Sequence, residues 1–131
     1  MDCKQSQLAK SLWNDRAVSY KNQFIDSGTE YLIDIVKIIE RIAESKYSEL
    51  TFPATSHESL IIKTHLGIDN DRPFLGVSIT PEGKFDFILW SKIGRKRGTS
   101  SCQGFQNAWK ILKELIEDLI LLDQTEIKEE H

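Results

Sequence analysis

The chain has only two cysteines, Cys3 and Cys102, at opposite ends of its 131 residues. One pair cannot build a disulfide framework, so a buried core must hold the fold, and the usage suits a reducing compartment. Long apolar runs are also missing, and none approaches the roughly 20 residues that span a bilayer. The opening residues Met1-Asp2-Cys3-Lys4-Gln5-Ser6-Gln7 are polar and lead into no apolar segment of signal type. These absences predict a cytoplasmic protein without a membrane partner. No internal repeat or low-complexity linker divides the sequence. A single domain over 1–131 is therefore expected, with 1–5 and 124–131 frayed.

A strong charge of either sign is absent too. The formal net charge is −3, which gives no global drive toward nucleic acid or an anionic membrane, so any such contact needs a local patch. Hydrophobic residues make up 40% and charged residues 28%, enough to bury a core and to exclude disorder for the body of the chain.

Catalytic and cofactor motifs are missing as well. The glycine-rich basic segment 91–100 lacks the glycine spacing and Lys-Ser/Thr pair of a phosphate-binding loop. Asp69-Asn70-Asp71 starts like a calcium loop but lacks its glycine and its later glutamate, so it reads as a turn. His57 and His65 have no third ligand at suggestive spacing. Cys102 follows a basic segment near an expected helix start, yet no base lies close to it in sequence. No metal, cofactor or catalytic residue is expected.

The helical signals come first. Trp13, Ala17, Tyr20 and Phe24 recur at spacings of a helical stripe over residues 6 to about 25, and Gly28 breaks the period. Ser27-Gly28-Thr29-Glu30 has the capping-box spacing, in which hydroxyl and carboxylate each satisfy an orphan N–H. Leu32, Ile35, Val36, Ile38, Ile39 and Ile42 then fill one broad face of a second helix.

From about Leu50 the period changes to two. Pro53 marks a boundary, and Leu60, Ile62, Thr64 and Leu66 alternate with Ile61, Lys63 and His65. Leu75, Val77 and Ile79 oppose Phe74, Gly76 and Ser78 in a second strand. Phe85, Phe87 and Leu89 oppose Asp86, Ile88 and Trp90 in a third, after the turn Thr80-Pro81-Glu82-Gly83-Lys84. Residues 91–104 are polar and basic and read as a loop. A last helix, capped by Ser100 and Gln103, carries the seam Phe105, Ala108, Leu112, Leu115, Leu119 and Leu122.

The expected fold is therefore α+β and two-layered. Two N-terminal helices precede a three-stranded antiparallel meander and a long C-terminal helix, in the order α-α-β-β-β-α.

Two surfaces stand out. The segment Lys92, Arg95, Lys96 and Arg97 gathers four cations beside Trp90, next to the expected amino end of a helix, where anions are favoured. The last helix adds Trp109, Ile111, Ile116, Ile120 and Leu121 to its seam, so apolar side chains cover well over half its circumference. They need cover on more than one side, from the chain's own sheet and helices or, for any excess, from an interface with another copy or a partner. Together they point to a non-catalytic binding or assembly protein. It would act through the C-terminal helix and the basic 92–98 loop, with a protein partner or a second copy. Nucleic acid held by that loop and Trp90 is the alternative. A small enzyme at the junction of sheet and last helix, using His65, Cys102 or Glu58, ranks third.

Overall fold

The computed structural model describes residues 2–67, 69 and 71–129, with side chains through Thr125. Helix α1 spans Cys3–Phe24. It starts ahead of the expected residue 6 because the Asp2 carboxylate caps it, accepting the Gln5 N–H at 2.8 Å. The expected stripe is real, with Trp13 and Tyr20 buried. Each also donates one long-range hydrogen bond, Trp13 Nε1–H to the Thr51 carbonyl at 3.0 Å and Tyr20 O–H to the Glu58 carbonyl at 2.6 Å.

The capping box does not form. Glu30 instead accepts the Gly28 N–H, and Thr29 Oγ accepts the Asp26 N–H, both at 2.9 Å. A short 3-10 turn at Glu30–Leu32 leads into helix α2, Ile33–Ala43. Ile35, Val36, Ile38, Ile39 and Ile42 are buried along it as the spacing predicts. Each such side chain contributes about 1.5–3 kcal/mol of burial, which outweighs the slight helix penalty of β-branching. A second 3-10 turn, Lys46–Glu49, returns the chain toward the sheet.

The sheet is antiparallel with five strands, not three. They are β1 Phe52–Ser56, β2 Ser59–Lys63, β3 Phe74–Ile79, β4 Lys84–Lys92 and β5 Arg95–Gln103, laid side by side in chain order. Strand β1 begins beside Pro53, which a sheet tolerates at its edge because no inner neighbour needs the missing N–H. Strand β2 ends at Lys63, so Thr64, His65 and Leu66 do not continue the expected alternation. Residues 95–103, expected as loop, form β5. They pair with β4 from Lys92↔Arg95 to Lys84↔Gln103 across a turn in which Gly94 takes φ +81°. The hairpin between β3 and β4 follows the sequence, with the Gly83 N–H donating to Thr80 O and the Thr80 N–H to Lys84 O.

Helix α3 runs Phe105–Glu129. Residues 100–103 belong to β5, so the expected Ser100–Gln103 cap is replaced by Gly104, whose carbonyl accepts the Ala108 N–H at 3.0 Å. Of the ends expected to fray, Met1, Glu130 and His131 lie outside the described residues, while 124–129 continue the helix. The core lies between the three helices and one face of the sheet. Leu60, Ile62, Leu75, Val77, Phe85 and Phe87 meet Trp13, Ile35, Ile38, Ile39, Leu112, Ile116 and Leu119 there. Among the described residues, no helix is long and apolar enough to cross a membrane.

Candidate functional site

The strand burial alternates residue by residue, so the second face of the sheet is half-buried rather than closed. Its side chains form cross-strand rows. In one row Lys63 of β2 lies opposite Phe74 of β3, Phe74 opposite Trp90 of β4, and Trp90 opposite Lys96 of β5. The Phe74 and Trp90 rings stack at 5.7 Å and 12°, and the Lys96 ammonium sits 5.7 Å over the indole. The next row is Ile61, Gly76 and Ile88, and beyond it Ser78 faces Asp86.

Gly76 leaves a dip in this surface. A shallow groove of about 310 Å³ runs over it between Ile61, Phe74, Ile88, Trp90 and Ile93. Strands and their turns line the groove, and among the described residues no helix reaches it. Ile93, in the β4–β5 turn, is 58% exposed at its end. Gly76 is not needed by the backbone. It has no positive φ, and a Cβ there would sit 3.9 Å from Ile61 Cδ1, Ile88 O and Trp90 Nε1, in ordinary contact.

The basic residues stand along one end of this face. Lys92, Arg95, Lys96 and Arg97 form no ion pair among the described residues. Arg95, Lys96 and Arg97 are exposed, and a double irregularity in the β4–β5 register sits at Trp90 and Lys92. Lys63 is engaged differently: its ammonium donates to Gly67 O at 2.6 Å, and burial pulls its pKa down. The cations therefore flank an apolar groove beside strand edges, not the amino end of α3 as expected.

The last helix offers much less surface than its composition predicts. Trp109 is 8% exposed and joins the core, with the Arg41 guanidinium 5.6 Å and the Lys113 ammonium 5.9 Å from its ring. Ile116 is buried, Ile111 and Ile120 pack partly against the core, and Leu121 alone of the five is exposed, at 63%. The chain's own sheet and α2 supply the cover, which corrects the expectation of a bare apolar flank.

The third candidate group is dispersed. Cys102 lies on β5 opposite Phe85, at the far end of the sheet from the Lys63–Phe74 row that precedes His65, and burial raises its thiol pKa. Glu58 sits in the β1–β2 turn, after His57, which adopts φ +55°. His65 is buried, with no hydrogen-bond partner on either ring nitrogen among the described residues. It lines a cavity of about 530 Å³ with Arg72, Asp123, Thr64, Phe52 and Ile120. Arg72 donates to Asp123 through Nε at 3.0 Å and Nη2 at 2.7 Å, locking the turn before β3 to α3. Asn70 lies outside the described residues. In the turn it belongs to, the Asp71 N–H donates to Asp69 Oδ1 at 3.1 Å. No group of three or more His, Cys, Asp or Glu side chains converges among the described residues.

Sequence reasoning singled out Trp90 and its basic neighbours as candidates, but not Ile61, Phe74, Gly76, Ile88 and Ile93, which line the groove beside them. The signal was present: alternation already put Phe74 and Gly76 on one side of β3, and Ile88 and Trp90 on one side of β4. No protein-family model, curated protein or solved structure matches the chain.

Proposed function

We propose that this protein is a non-catalytic binding protein whose helix-free sheet face holds an acidic protein segment bearing an apolar anchor. One observation carries the proposal. The dip over Gly76, walled by Ile61, Ile88 and Trp90, opens beside four cations that have no carboxylate partner among the described residues. The groove is the size of one or two side chains, and aromatic and aliphatic anchors favour such sites. Carboxylates flanking the anchor would meet Lys92, Arg95, Lys96 and Arg97, which steers encounter and fixes orientation.

Nucleic acid is the second reading, favoured by the aromatic pair beside the cations. It ranks lower because the stacking surfaces are already used. Phe74 covers one side of Trp90 and Lys96 approaches the ring as well, so a base must displace one of them to stack.

Selection of peptides displayed against the immobilised protein tests the proposal. Binders should carry acidic residues around one large apolar residue, and their amide-shift footprint should centre on Gly76, Ile88 and Trp90. Gly76→Val fills the groove and should abolish binding while the protein stays folded. An oligothymidylate that binds equally well to parent and Gly76→Val, with no acidic peptide selected, would overturn it.

A further inference from the structure

Strand β5 is an open edge of unusual layout. It has nine residues, Arg95–Gln103, exposed along nearly their whole length, and no neighbour beyond it among the described residues. Exposed edges of that length template pairing with another strand. Its three cations occupy the first three positions, and the following six residues carry no formal charge. The inward-facing Gly98 and Ser100 remain exposed, so α3 does not close over this margin.

We infer that β5 pairs with β5 of a second copy, antiparallel and about a two-fold axis at Thr99, forming one continuous ten-stranded sheet. The charge layout selects this partner and this direction. In a parallel pairing, Arg95, Lys96 and Arg97 would lie beside their own copies, and like charges opposite one another are destabilising. In the antiparallel pairing Arg97 meets Ser101 of the second copy, and Lys96 and Arg95 lie beyond it toward the other strand's end, so all six cations fall at the two ends of the seam.

The pleat fixes the centre of the pairing. Opposed residues of neighbouring strands share a face, and an axis passing through the sheet preserves faces, so it must cross a residue rather than a peptide bond. Overlap of the two strands puts that residue at Thr99, with regular pairing over Arg97–Ser101; beyond it the bulge that shifts the β4–β5 register leaves the outward Lys96 and the inward Cys102 without regular pairing. The assembly closes at two copies because the other edge, β1, is short, begins beside Pro53 and packs against α1. This inference rests on the edge alone and is independent of what the Gly76 groove holds.

Sedimentation equilibrium over a wide concentration range should show a mass rising from one chain to two. In a background with Cys3 and Cys102 replaced by serine, Thr99→Cys should cross-link to its own copy on mild oxidation, since directly opposed residues bring Cβ atoms to disulfide range. Position 101 supplies the charge test. Ser101→Glu would face Arg97 of the second copy and should tighten the dimer, while Ser101→Lys should weaken it. Within one chain Ser101 lies opposite Asp86, so monomer stability should shift in the reverse sense. Folding effects are thereby separated from pairing. A single-chain mass at every concentration, or a dimer that ignores the sign at 101 and is not linked through Thr99→Cys, would overturn the inference.

Discussion

Replacing His65 by leucine should make the protein more stable and flatten its response to pH. The imidazole is 8% exposed, and neither ring nitrogen has a hydrogen-bond partner among the described residues. A buried polar group left unpaired costs about 1–3 kcal/mol. Its pKa lies below the ordinary histidine value, chiefly because burial disfavours the charged ring. Arg72 and Lys63 push the same way, and Asp123 and Asp69 push back. The sign of the linkage follows. The unfolded chain takes up a proton near pH 6.5, before the folded protein does, so falling pH favours unfolding. The parent should be most stable above that value and lose stability through and below it, until the folded ring also protonates. Leucine is close to histidine in volume and brings no orphan nitrogen, so Tm should rise by about 3–15 °C, taking roughly 3–5 °C per kcal/mol at this chain length. Calorimetry on parent and variant between about pH 8 and about pH 5.5 checks both effects, since carboxylates titrate mainly below that range. A variant less stable than the parent at the upper end, together with a parent indifferent to pH, would refute the picture of an unpaired imidazole.

Asp123→Ala removes two charge-assisted hydrogen bonds to Arg72 and leaves a guanidinium that is 28% exposed. Water can reach it, so the loss should be about 1.5–3 kcal/mol rather than that of a fully enclosed pair, read as a lower urea midpoint. Gly76→Ala should raise stability by about 0.4–1 kcal/mol, because the added methyl meets only ordinary contacts while the unfolded chain loses freedom; a fall in Tm would show that the position is strained. Trp13→Phe keeps an aromatic ring in the core but strands the Thr51 carbonyl and opens space, and should cost about 2–4 kcal/mol in denaturant titration.

The legible parts of the fold were those where burial imprints a period. Isoleucines at helical spacing specified α2, and two-residue alternation specified β3, β4 and the face each residue takes. Strand β1 was hidden by Pro53, a residue that argues against a central strand and is harmless at an edge. The caps were misjudged because Ser27–Glu30 and Ser100–Gln103 satisfy a spacing rule that competing local partners defeated. Glu30 found the Gly28 N–H, and residues 100–103 found β4. The Arg72–Asp123 lock spans fifty-one residues and leaves no local trace in the sequence.

The misreading of β5 has the most to say about the candidate site. Its inward positions are Gly98, Ser100 and Cys102, which are too small or polar to show the alternation that buried strands show. A strand of that composition gains little from the core and is held by its ladder to β4, so it exists in the fold mainly as an edge. The neighbouring face obeys the same logic: Gly76 sits mid-strand, where glycine weakens a sheet, with no backbone requirement for it. Both features cost stability, and neither is needed for the helices to cover the opposite face. A sheet selected only for stability would favour a larger residue at 76 on the helix-free face and β-branched residues at 98 and 100 on the inward face. Gly76 lies on the helix-free face and Gly98 and Ser100 on the margin of the opposite face, so the small residues gather toward the strand edge that carries the cations without an ion pair among the described residues.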